Sequence, residues 1–407
     1  MDLVWAKLRR LNWVLFASMV ALVAIGAMFI YSAGSARSVA ALHTAYLAHI
    51  QAAVFGLALY FAFALVDYRR MLELCALPAY AVSLLLLVVV LLVGSTVYGG
   101  QRWLWFFQPS EISKLAVILL FAAVYGLHDR MEGYFGRRAS APTGWRGLML
   151  GLALLGVPAL LVFAEPDLGT TLVLVPTGLA MLFAARVCTK GLLALVLMAT
   201  LAAAFVIGSV SAEMRTQDKD EKARIIARTH LKQHQIRRLE VFLNPDLDIH
   251  GAGYNQREAR IAVGSGGLRG RGWRQGELYR LGYLPQSVSM NDFIFAVLAE
   301  EAGFAGSLLV LALYGGILFS GVWTGLRCRD DSGRILAVGI TTLVFCHVYV
   351  NIAMSIGLMP ITGLPLPFIS SGRTFMVVLV SALGVLQSVS IHGCADEADF
   401  RKEQIVC

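Results

Sequence analysis

Long apolar runs separated by short charged segments dominate this chain. Stretches of about 17 residues or more, enough for a helix to cross a hydrocarbon core of roughly 30 Å, recur near positions 12–31, 46–66, 76–97, 110–127, 147–164, 169–186, 190–211, 293–326, 334–358 and 366–391. The pattern predicts an all-α polytopic membrane protein with ten transmembrane helices, built as a single integral membrane domain over 1–407. One large extracytoplasmic loop, residues 212–291, separates the seventh and eighth spans.

Composition points the same way. With 58% hydrophobic and only 15% charged residues and a mean hydropathy of +0.70, the chain carries more apolar surface than a soluble core of this length hides. Basic residues then set the expected orientation. With the N-terminus inside, Lys7, Arg9, Arg10, Arg69, Arg70, Arg130, Arg137, Arg138, Arg146, Arg186, Lys190, Arg327, Arg329, Arg334, Arg401 and Lys402 fall on the cytoplasmic side, against Arg37 and Arg102 in the short outside loops. That asymmetry obeys the positive-inside rule, with long loops exempt, and places both termini in the cytoplasm. No A-x-A site follows the first span, which therefore reads as a retained helix and not as a cleaved leader. The surplus of +8 is accounted for by bases near anionic lipid headgroups and calls for no nucleic acid. Cys75, Cys188, Cys328, Cys394 and Cys407 fall at or beyond cytoplasmic helix ends and Cys346 within a span, a distribution with neither a disulfide framework nor zinc spacing. No internal repeat suggests an inverted-repeat transporter.

Against this background, ionisable groups beside apolar segments mark candidate chemistry. In LPQSVSMNDFIFAVLAEEAGFAG, Asp292 stands at the mouth of the eighth span with Glu300 and Glu301 close behind; the alternative for Asp292 is a helix-capping acid. In GGQRWLWFFQPSEISKL, Arg102 lies in an outside loop and Pro109 and Ser110 open a helix. Glu111 and Lys114, three apart, share one face of it, where they neutralise each other or pin the packing. Glu165, Pro166 and Asp167 in AEPDLGTTL suit a helix start, where proline and acids are favoured.

The long loop divides in two. Glu213 to Pro245 scatters Ile225, Ile226, Ile236 and Leu239 among charges and reads as a helix lying on the membrane or a partner, the alternative being a solvated charged helix. GAGYNQREARIAVGSGGLRGRGWRQG is dense in glycine and arginine. It lacks the Gly-Lys-Ser/Thr ending of a phosphate-binding Walker loop and serves either as tight turns of a re-entrant loop or as a direct contact to a bulky anion. MPITGLPLPFISSGRTF breaks the chain before the last span and predicts an Arg373 embedded in apolar surroundings, in need of an acidic or phosphate partner.

QRWLWFFQPSEISKL, EPDLGTTL, NPDLDIHGAGYNQREARIAVGSGGLRGRGW, DFIFAVLAEEAGFAG and HVYVNIAMSIGLMPITGLPLPFISSG, in this order from Gly99 to Gly372, together resemble the SEDS family of bacterial cell-wall proteins, its RodA branch more than its FtsW branch. The resemblance implies a ten-helix glycosyltransferase of the bacterial cytoplasmic membrane that polymerises lipid II into glycan strands for elongation and cell shape, beside a class B penicillin-binding protein. It places the family's essential aspartate on Asp292 and other recurrent polar positions on Arg102, Glu111, Lys114 and Asp167. The sequence departs from the family's P-E-x-x-T-D-F-I-F motif by a longer Pro285–Asp292 stretch, by Gln286 in place of Glu and by Asn291 before the aspartate. Gly372-Arg373-Thr374 stands where Gly-Gly-Ser-Ser is usual.

The substrate so implied requires a sugar hydroxyl to lose its proton as it attacks, which assigns Asp292 as general base. The departing pyrophosphate needs positive charge, from Arg102, from Arg269 and Arg271, or from a divalent cation such as Mg or Mn. A lipid-linked precursor flippase and a non-catalytic scaffold for the penicillin-binding protein are the competing expectations.

Overall fold

The computed structural model describes residues 7, 10–34, 44–97, 100–104, 107–127, 142–165, 167–216, 233–244, 252–277, 281 and 289–393. Arg37, Arg130, Arg137, Arg138, Ile225, Ile226, Gln286, Cys394, Arg401, Lys402 and Cys407 lie outside them. Helices α1 (Trp13–Gly34), α2 (Ala45–Leu65) and α3 (Tyr68–Val93) lead into a short antiparallel pair, β1 (Ser95–Val97) and β2 (Gly100–Trp103). Then come α4 (Pro109–Gly126), α5 (Gly144–Ala164), α6 (Leu168–Ala184), α7 (Thr189–Arg215), α8 (Gln233–Leu243), α9 (Ala252–Ser265), α10 (Ile294–Arg327), α11 (Asp331–Ser355) and α12 (Arg373–His392). Among the described residues, nine helices are long and apolar enough to span a membrane, and the apolar α6 has 17 residues. At 1.5 Å per residue α6 covers only about 25 Å, so it spans the hydrocarbon only where the bilayer thins or its ends are otherwise satisfied.

Apolar character alone does not decide which helices lie inside. Helices α4, α11 and α12 are largely covered by protein, whereas α7 is almost bare along its length. Small residues allow the close approaches in the centre, as between membrane helices generally. A Cβ on Gly384 of α12 would sit 2.6 Å from the Tyr60 backbone of α2. At the arginine-rich end, Asp330 caps α11 at Gly333 N and accepts from Tyr68, Ser332 and, at 2.9 Å, Arg69. Burial alone would raise its carboxyl, but these donors and the Arg69 charge hold it down at about 2.

Several boundaries differ from the sequence expectation, each for a physical reason. Helix α3 begins at Tyr68, capped by Asp67, so Cys75 is an exposed residue of its interior and not of its end. The last span starts at Arg373, not near 366, because the proline-rich stretch before it stays non-helical. Arg373 is exposed, which corrects its expected embedding. Of the charged helix expected over Glu213 to Pro245, residues 217–232 and 245 lie outside the described residues, and Glu213 is buried in the last turns of α7. In α8, Ile236 and Val241 are buried by the protein itself, with α7 and α9 as neighbours.

The largest correction concerns the eighth span. Thirty-four helical residues would reach about 50 Å, far more than a bilayer core, and α10 is broken at Gly303 (φ 68°, ψ −165°). The glycine-rich turns after α9 dock on this break. Arg271 N donates to Glu300 O at 2.9 Å, Gly272 N to Glu301 O at 3.0 Å, Phe304 N to Gly267 O at 2.8 Å and Ala305 N to Leu268 O at 3.1 Å. Peptide groups that the break would strand inside the protein are thereby satisfied.

Gly303 has a backbone essentially reserved for glycine, and its Cβ would meet Gly270 N at 2.2 Å. Gly303→Ala is therefore expected to lower the melting temperature in detergent sharply. Gly264→Ala, in α9 with nothing within 4 Å of the added atom, should hold or slightly raise it; equal effects would refute the docking account.

Candidate functional site

Two polar layers lie inside the end of the bundle opposite Asp330. The outer one joins the β-hairpin to the α5–α6 turn. Asp167, the N-cap of α6, accepts from Thr170 N at 3.1 Å, Thr170 Oγ1 at 2.8 Å and Gln108 Nε2 at 2.8 Å. The Arg102 guanidinium stands 3.9 Å from Asp167 Oδ1, and its Nε donates to Glu165 O at 3.3 Å. Arg102 is partly exposed and Asp167 is not, so the pair presents its positive end. Glu165 beside them is fully buried, and among the described residues neither carboxyl oxygen has a hydrogen-bond partner. Burial first, then the Asp167 charge, push its carboxyl up to about 8 against the pull of Arg102.

The inner layer runs between α4 and α11. Lys114 Nζ sits 2.8 Å from Glu111 Oε2 and 2.8 Å from His347 Nε2, with the Phe375 ring centroid 5.4 Å away. An ammonium has only donors to give, so His347 Nε2 accepts and the ring proton belongs on Nδ1. All three charged or polar groups are buried. The Glu111–Lys114 pair expected from their spacing is thus formed, and it is completed by a histidine.

One turn along α11, Asn351 Nδ2 donates both to Asp292 O at 2.8 Å and to Leu364 O at 2.7 Å. The residues around Asp292 are held further: Ser370 Oγ donates to Asn291 O at 2.6 Å, Ser371 Oγ to Asn291 Oδ1 at 2.5 Å and Ser371 N to Met290 O at 3.2 Å. Asp292 is half-buried, and Phe293, not Asp292, occupies the N-cap of α10. The helix-capping alternative therefore loses its position. A Cβ on Gly363 would lie 3.6 Å from Asp292 Oδ2, and one on Gly169 would lie 3.0 Å from Thr362 O. The non-helical residues 362–364, with Gly363 at a left-handed φ of 75°, thus form a thin wall, with Asp292 on one side and the start of α6, next to Asp167, on the other.

Depth follows from the same contacts. Ser32, at the far end of α1 from Asn12, donates to both Glu301 oxygens at 2.7 and 2.9 Å. Gly26, six residues nearer the middle of α1, abuts Ile369, and the adjacent Ser370 and Ser371 hold Asn291. The chain therefore climbs from Asp292 outward to Glu301. Asp292 lies inside the bundle, deeper than the rim expected from sequence, and Ser289 and Met290 are buried with it.

Arg102, Glu111, Lys114, Asp167 and Asp292 all belong to these layers. Arg269 and Arg271 do not; they sit on the glycine turns at the level of Glu300 and Glu301, roughly 13 Å of helix rise from Asp292. Arg271 is engaged with Glu277 at 2.5 Å and with Glu300 at 3.9 Å. Sequence reasoning did not single out His347 and Asn351. Their spacing of four on an otherwise apolar span was the available signal, since polar groups on one face of a membrane helix mark its functional side. Among the described residues, no three His, Cys, Asp or Glu side chains are grouped to hold a metal ion.

The family model of the FtsW, RodA and SpoVE cell cycle proteins matches residues 12–394. This chain belongs to that family. Among its relatives, the peptidoglycan glycosyltransferase MrdB of Escherichia coli K12 is 36% identical over 317 residues, 77% of each chain. The peptidoglycan glycosyltransferase RodA of Treponema pallidum is 29% identical, covering 93% of this chain and 97% of that one. In three dimensions the family member superposes on a subunit of a peptidoglycan synthase complex described as coordinating polymerization and crosslinking, with a TM-score of 0.71, 26% identity and coverage of 95% and 99%. The rod shape determining protein RodA of Thermus thermophilus matches with a TM-score of 0.62 at 25% identity, over 95% and 98%.

Two predictions follow from the layers. Lys114→Met strands a buried carboxylate and should cost about 3–5 kcal/mol, whereas Lys114→Met with Glu111→Gln should cost clearly less; a double-mutant cycle on unfolding reads the difference. For Glu165 the folded pKa is raised, so its stabilising protonation is fully present below the ordinary carboxylate range and is lost as pH rises through about 8. Melting curves of Glu165→Gln should therefore lose the decline that the parent shows between pH 5 and 8.

Proposed function

We propose that this chain, a peptidoglycan glycosyltransferase by family, extends glycan strands from lipid II for cell-wall elongation and cell shape, with Asp292 as its general base. The observation that carries this reading is a half-buried carboxylate whose backbone is clamped by Asn351 and Ser370, across a thin wall from a partly exposed guanidinium. A sugar hydroxyl of one reactant attacks the anomeric carbon of the other while Asp292 takes its proton. The bond from that carbon to the pyrophosphate oxygen breaks, and its electron pair leaves with the polyprenyl pyrophosphate. In this reading Arg102, oriented by Asp167 and the Glu165 carbonyl, supplies the preorganised cation that stabilises that growing negative charge. Glu111, Lys114 and His347 hold the floor of the site. A divalent cation, Mg or Mn, would be held by the Asp292 carboxylate with most of its other ligands coming from substrate phosphate oxygens, and would supply charge stabilisation to the departing pyrophosphate.

The protein is placed in the bacterial cytoplasmic membrane with both termini cytoplasmic, so that the site opens on the periplasmic side. Its partner in this reading is a class B penicillin-binding protein that cross-links the strands. The similarity to a subunit of a complex named for both polymerization and crosslinking supports this assignment. That the acid and the guanidinium gather at one end of the bundle favours interfacial chemistry over a flippase.

Asp292→Ala is expected to lower glycan synthesis from purified lipid II by about 10²–10⁴-fold, the usual contribution of a positioned base, with the melting temperature and co-purification of the partner unchanged. Polymerisation by the variant at the parent rate overturns the assignment.

A further inference from the structure

Where α1 passes the outer part of α10 beneath the glycine turns, there is a groove of about 410 Å³. Its walls are apolar, from Ile25 and Phe29 on one side to Leu298, Leu309 and Val310 on the other, and Arg269 and Trp273 stand at its head. Trp273 stacks on Tyr31 at 6.1 Å, Tyr31 meets Tyr46 edge-on at 5.2 Å, and the Arg274 guanidinium lies 5.5 Å over the Tyr31 ring. Aromatic rings and arginines gathered at one level mark the headgroup zone of a bilayer.

The cations at this rim are unequally engaged. Arg269, Arg271 and Arg274 meet Glu277, Glu300 and Glu301 at this level, and Glu301, which lines the groove, accepts from Ser32. Arg271 takes up Glu277 and Glu300, while the exposed Arg269 forms no ion pair with any described residue. The groove is too small for a peptide partner: a helix about 10 Å across would exhaust 410 Å³ in about one turn. It is also too far from Asp292 for a reacting pyrophosphate at Arg269, since roughly 13 Å of helix rise lies between Asp292 and Glu301.

We propose that this groove is a lipid site separate from the reaction centre, which holds one anionic glycerophospholipid with an acyl chain between α1 and α10 and its phosphate on Arg269. Such a lipid fills the space beside the break in α10, next to the point where Ser32 ties α1 to Glu301.

Native mass spectrometry of the full-length protein, released from nanodiscs of phosphatidylglycerol or of phosphatidylcholine, tests this. One phosphatidylglycerol should remain bound and outcompete phosphatidylcholine. Arg269→Ala should cut that preference about five-fold, the share of one arginine near a charged surface. Leu309→Trp, a substitution at an exposed position that fills the groove, should remove the bound lipid while the protein stays folded. Equal retention of both lipids, a preference untouched by Arg269→Ala, or displacement of phosphatidylglycerol by stoichiometric undecaprenyl pyrophosphate would each overturn the proposal.

Discussion

A single side-chain amide decides where the reactive end of this protein can be. Asn351 spends both hydrogens of its Nδ2 on the carbonyls of Asp292 and Leu364, two segments far apart in sequence that have no regular secondary structure at that point. Inside a low-dielectric bundle an unpaired carbonyl is costly, so the amide does more than decorate the site. It permits two stretches of broken backbone to exist at that depth at all. A half-exposed carboxylate is only useful if its main chain does not wander, and here the main chain is tied before the side chain begins.

The same logic extends through the rest of the polar interior. Several groups that water would otherwise solvate have been given a protein partner: Lys114 between Glu111 and His347, Asp167 among Thr170, Gln108 and Arg102, and the peptide groups around Gly303 by the glycine turns. The Glu165 carboxyl, which has no such partner among the described residues, resolves the conflict by keeping its proton. Around these networks the helices are joined mostly by small residues and dispersion contacts, which is what the absence of a hydrophobic drive within a bilayer leaves available.

Much of this was legible in the sequence, and the parts that were not share a cause. The apolar runs locate the helices to within a few residues, the starts of α3 and α12 excepted, because burial in lipid is a property of a contiguous window. The ion pair of Glu111 and Lys114 is likewise local, set by a spacing of three on one helix. What sequence did not disclose are relations between distant segments: that Gly266 to Gly272 fits a break at Gly303, that Asn351 reaches Asp292, and that Arg269 and Arg102 serve different places. The glycines announced tight backbone without saying what lay against it. Arg373 misled because an arginine in an apolar stretch reads as buried, although a helix's first residue has an open side.

The wall formed by Thr362, Gly363 and Leu364 has a further consequence. Because one strand of backbone faces Asp292 on one side and the start of α6 on the other, the two halves of the centre share a diaphragm only a few atoms thick. A ligand whose binding displaced that diaphragm would couple the two halves, and thermodynamic reciprocity would then make the coupling equal in both directions.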